Sequence, residues 1–156
     1  MDNNALVAAL GSDAVAAVHG YRLEVVDEAR TRGLTLRSVS TGAGSDPIDV
    51  RLVFADGPAG VLTGHVLTWS PARGWSIARS VADAAPRYLA GPLARPVDLV
   101  PTPAEVLDRV VSGRRGSTVP PLDVELDDEP AAIRRLLGFA TVRRGRSHVD
   151  TLSLSA

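Results

Sequence analysis

Apolar positions in the first fifth of the chain recur at helical spacing. Over residues 12–32, Val15, Val18, Tyr21, Val25 and Ala29 fall on one stripe and predict an amphipathic helix. Asp13 or Ser12 is placed to cap its start. Arg30 and Arg32 fall in its last turn, where positive charge suits the macrodipole, and Gly33 follows as a left-handed stop. Gly20 lies inside the helix at a cost of about 1 kcal/mol relative to alanine, serving either close packing or a break. Residues 2–10 read as a further turn or two of helix, set off by Gly11.

From residue 34 the period drops to two. Residues 34–39 predict a short strand with Leu34, Leu36 and Ser38 on one side. Asp49–Phe54 alternates, with Val50, Leu52 and Phe54 on one face and Arg51 and Val53 on the other. Val61–Trp69 reads as a long strand, Ser70–Gly74 as a hairpin loop, Trp75–Ser80 as the returning strand and Tyr88–Ala90 as a short fourth one. Neighbouring strands with short connections argue for an antiparallel meander. Gly91–Pro103 carries Pro92, Pro96, Pro101 and Pro103 and reads as a crossing segment without helix. Thr102-Pro103-Ala104-Glu105 is a capping box with proline at the first helical position, opening a helix over 102–112 that buries Val106, Leu107 and Val110.

After Gly113 the texture changes. Asp123, Glu125, Asp127, Asp128 and Glu129 form an acidic block alternating with Leu122, Val124 and Leu126, a pattern for a strand with one charged face. Pro130 opens a short helix with Ile133, Leu136 and Leu137 on its apolar side and Gly138 as its stop. A basic cluster of Arg143, Arg144 and Arg146 follows, and Val149–Leu154 reads as a last strand. The expected fold class is α+β: a three- to four-stranded antiparallel meander with two helices on one face, plus a C-terminal arm. The expected division is a core domain over 1–112 and the arm over 113–156.

Composition narrows the chemistry. The 156 residues include no cysteine, which removes disulfides, thiolate metal sites and cysteine nucleophiles. The 17 basic residues are all arginine, which reflects a GC-rich codon bias more than a choice of arginine for anions. A net charge of −1 leaves no global field for nucleic acid or an anionic membrane. No apolar run approaches the roughly 18 residues of a membrane span. Met1-Asp2-Asn3-Asn4 lacks a positive leader, and Ala5–Leu10 is too short for a signal-peptide core, so a cytoplasmic location is expected.

Leu67-Thr68-Trp69, Gly74-Trp75, Tyr88-Leu89-Ala90-Gly91 and Asp98-Leu99-Val100-Pro101-Thr102-Pro103-Ala104 together form a recognisable set. It resembles an actinobacterial family of domains of unknown function, numbered 6292, with a W-x4-G-W hairpin, a Y-L-x-G strand and a P-x-P approach to the last helix. The resemblance covers residues 15–112 with a gap at 83–87 and an untypical loop at 33–49. It implies an α+β domain of a bacterial cytosolic protein and carries no activity with it.

The hairpin holds the main candidate surface. Alternation puts His65, Leu67 and Trp69 on one side with Trp75, Ile77 and Arg79, provided that Trp69 and Trp75 stand opposite. The other side holds Leu62, Gly64, Val66, Thr68, Ser76 and Ala78. Helices over that smoother side would leave His65, Trp69, Trp75 and Arg79 as a ligand or partner face. Helices over the tryptophan side would make both indoles core.

Catalytic and metal-binding constellations are missing. His19, His65 and His148 are far apart, no G-x-S-x-G or G-x-G-x-x-G occurs, and the acidic block has the wrong spacing for a calcium loop. The expectation is a non-catalytic protein-interaction or assembly module, without cofactor or metal, associating with a protein partner or with itself as a homodimer. One alternative is a nucleic-acid-binding accessory protein contacting phosphates through Arg143, Arg144 and Arg146. A further alternative is small-ligand binding on the Trp69/Trp75 face.

Overall fold

The computed structural model describes residues 3–41, 49–56, 62–83, 85–89, 99–112 and 130–140. The acidic block, the Arg143/Arg144/Arg146 cluster and the expected last strand lie outside the described residues.

Two helices open the chain, α1 (Asn3–Leu10) and α2 (Asp13–Thr31), joined at a corner where Gly11 takes φ +56°. Ser12 stands at the N-cap of α2, yet its backbone is already helical (φ −65°, ψ −16°) and its side chain makes no capping bond. A serine caps from an extended conformation, which a continuing corner denies it. The buried stripe of α2 runs through Ala14, Val18, Tyr21, Val25 and Ala29. Val15, expected on that stripe, lies about 100° round the helix from Ala14 and is 66% exposed. Gly20 is buried within an unbroken helix. The stop is as expected: Gly33 has φ +78°, its N–H reaches Arg30 O, and the N–H of Leu34 reaches Ala29 O at 3.0 Å, a Schellman motif sealed by buried Leu34.

Five strands then form one antiparallel sheet in chain order: β1 (Thr35–Thr41), β2 (Val50–Asp56), β3 (Val66–Ser70), β4 (Gly74–Ala78) and β5 (Arg87–Tyr88). Register places Leu36, Phe54, Leu52, Leu67, Val50, Trp69 and Trp75 on one face. Irregular pairing between Leu36 and Ser38 shifts Ser38 opposite Val53, on the other face from Leu36. The alternation expected for residues 34–39 fails there because a bulge inserts one residue and reverses the side-chain phase.

The long strand expected over Val61–Trp69 is half that length. Leu62–Gly64 is a turn in which His65 N–H donates to Leu62 O at 2.9 Å and Gly64 takes φ +80°. Gly64 N–H then donates to Phe54 O, and Phe54 N–H to His65 O, so Gly64 and His65 together oppose Phe54. The turn runs into a G1 bulge, whose first position needs a residue at positive φ. The following hairpin turns differently: Arg73 N–H donates to Ser70 O, and Gly74, one position past that turn and opposite Ser70, takes φ +71°.

α3 (Pro103–Val111) carries the capping box in full: Glu105 N–H donates to Thr102 Oγ1 at 3.2 Å and Thr102 N–H donates to Glu105 Oε2 at 2.9 Å. A fourth helix, α4, is described over residues 130–140 and continues past Gly138, where a stop was expected. Gly138 does not take the positive φ that ends α2 at Gly33. The helices contribute Tyr21, Val25, Val106, Leu107, Val110 and Leu136 to one core with the Val50/Leu52/Trp69/Trp75 face of the sheet. The helical layer therefore covers the tryptophan side.

Candidate functional site

The site is best built from Tyr21, at the middle of the α2 stripe, where helical spacing aims a long side chain at the sheet. Its ring meets Trp69 edge-on at 5.8 Å between centroids and Trp75 at 5.9 Å. Its hydroxyl donates to Pro101 O at 2.6 Å and accepts from Trp75 Nε1–H at 2.9 Å. Trp69 Nε1–H donates to Leu99 O at 2.8 Å. Trp69 is fully covered and Trp75 is 3% exposed. The expected face of His65, Trp69, Trp75 and Arg79 is thus not an open one. The register that would create it is present, Trp69 opposite Trp75 and Leu67 opposite Ile77. The indoles point into the protein because both of their N–H groups find acceptors there, Tyr21 and the Leu99 carbonyl, which is where a buried indole has to be satisfied.

His65 and Arg79 depart from the pair. His65 sits in the bulge, half-buried, and its buried Nδ1 has no hydrogen-bond partner. Arg79 is exposed just beyond β4, and its backbone N–H donates to Asp83 Oδ2 at 3.1 Å. Asp83 Oδ1 also accepts from Ala85 N–H at 3.0 Å. These donors, Ala85 first and Arg79 second, hold the Asp83 carboxyl below its ordinary pKa of 3.8.

Other charged groups join elements. Arg32, just past α2, donates to Glu28 Oε1 at 2.9 Å, to Asp108 Oδ1 at 2.7 Å and to Ala104 O at 3.1 Å, tying α2 to α3. The hydrogen bonds to Asp108 and then Glu28 push its guanidinium pKa above the ordinary arginine range. Arg22 donates to His19 Nδ1 at 2.7 Å, and burial pushes its guanidinium below the ordinary arginine range. Beside α3 lies a depression of about 310 Å³ lined by Glu105, Asp108, Arg109 and Ser112. Each of these four described side chains already has a structural partner: the Thr102 cap, Arg32, the Leu89 carbonyl at 3.5 Å and the Arg109 carbonyl at 3.2 Å. Among the described residues, no three His, Asp or Glu converge to hold a metal ion, and no helix is long and apolar enough to cross a membrane.

Sequence reasoning missed Tyr21 as the hub and the carbonyls of Leu99 and Pro101 as its partners. The available signal was the proline-rich stretch before α3. A segment unable to enter a helix or a ladder leaves its carbonyls free for side chains. Comparison of the chain with family models, with curated proteins and with solved structures finds no match.

Proposed function

We propose that this chain is a non-catalytic protein-interaction or assembly module that associates with a second copy of itself. The observation that carries the reading is a division of side chains between inside and outside. The aromatic groups that would grip a ligand are satisfied within the core. Large aliphatic groups stand outside, among them Val15 at 66% and Val7 at 47% exposure, on either side of the Gly11 corner. Exposed Ala8 and Ala9 extend that surface along α1. No charged residue occurs between Asn3 and Ser12. The α1 part of this surface, free of charged residues, meets its own copy without like-charge repulsion, which favours a two-fold interface.

The motifs behind the family resemblance support the same reading, because they hold the fold. W-x4-G-W is the buried β3–β4 hairpin, Tyr88 pairs β5 to Ser76 of β4, and the P-x-P stretch supplies the Pro101 acceptor and the start of α3. The test is sedimentation of the full chain over a concentration series beside the double variant Val7→Asp/Val15→Asp. Concentration-dependent association lost in the variant is the expected result. A wild-type chain that stays monomeric across the series overturns the reading.

A further inference from the structure

Helix α4 is held by less than the elements it rests on. Its fully covered side chains are Ala132, Leu136 and Ala140, so two of the three bring a single methyl group. Phe139 lies against Tyr21 at 4.8 Å between ring centroids and remains partly exposed. Arg135 Nε–H donates to Val100 O at 3.3 Å, a long bond. α2 buries eight residues, and α3 has its capping box and the Arg32 tie.

Gly138 weakens it further. The residue is exposed, its φ is not positive, and nothing lies within 4 Å of where a Cβ would stand. Neither packing nor backbone geometry asks for glycine here, so the residue only lowers the helix's own stability.

We propose that α4 is a detachable latch over Tyr21. It undocks and unfolds as one unit while the sheet, α2 and α3 stay folded, and its departure bares the Phe139 side of the Tyr21 ring. Locally unstable units of this kind open far more often than the molecule as a whole.

Amide hydrogen exchange on the full chain tests this, with wild type, Gly138→Ala and Leu136→Ala compared. The α4 amides are expected to share one opening equilibrium and to exchange at least about 100-fold faster than those of Val18–Val26. Gly138→Ala is expected to slow α4 alone by about two- to five-fold. Leu136→Ala is expected to speed α4 and leave α2 unchanged. Protection of α4 equal to that of α2, or a Leu136→Ala effect spread over both helices, means one cooperative unit and overturns the latch. A profile rising steadily toward residue 140 means end fraying and overturns it as well, as does wild-type α4 exchange at free-peptide rates.

Discussion

The oxygen of Tyr21 serves two buried groups at once, the Trp75 indole N–H and the Pro101 carbonyl. Removing it leaves both without their partner, and each orphaned buried group costs about 1–3 kcal/mol. Tyr21→Phe keeps the ring and its contacts, so its destabilisation reports the hydroxyl alone. The expected loss in urea unfolding is about 2–6 kcal/mol; a midpoint equal to wild type would show the hydroxyl to be idle. Asp83 makes a second prediction, in pH. Its folded pKa lies below the ordinary 3.8, so its brace is present above that value and is lost as pH falls through the depressed pKa. In an NMR titration the Ala85 and Arg79 amide shifts should move only in that acid range, and Asp83→Asn should abolish the movement. The size of the Tyr21 side chain and its place on the α2 stripe were legible in the sequence. Its polar role was not, because the Pro101 acceptor lies 80 residues away.

Among the elements, those set by near neighbours followed the local rules. The α2 stop at Gly33 and the Thr102–Glu105 box each use atoms within a few residues of one another, and both formed as read. The Val61–Trp69 strand failed because alternation records only side-chain polarity. Gly64 fitted the smooth face of a strand, whereas the chain uses its positive φ to turn. Gly64→Ala is therefore expected to cost about 1–2 kcal/mol. This holds although the nearest atom to the added Cβ, Arg79 O, is 4.0 Å away. The loss comes from backbone strain, so Gly64→Asn, which tolerates left-handed geometry, should lose less than alanine in thermal unfolding. Equal losses for the two variants would point to packing instead.

At the scale of the molecule, one sheet face is sealed by a helical layer and both indoles lie beneath it. Native tryptophan emission should accordingly be blue-shifted and weakly quenched by acrylamide, rising to full quenching only on unfolding. Red-shifted, readily quenched native emission would contradict the arrangement. The meander order and the α+β class are properties the residue pattern determined alone, and the Trp69–Trp75 register, which it left as a condition, is met. Period, turn chemistry and caps act over a few residues, and strands joined by short loops have few ways to pair. The covered face was a tertiary decision. Both faces of the hairpin carry apolar residues, and Val53 and Val66 on the far side are themselves buried. The indole side went inward because Tyr21 and the Leu99 and Pro101 carbonyls, remote in sequence, converge there to satisfy polar groups that could not otherwise be buried.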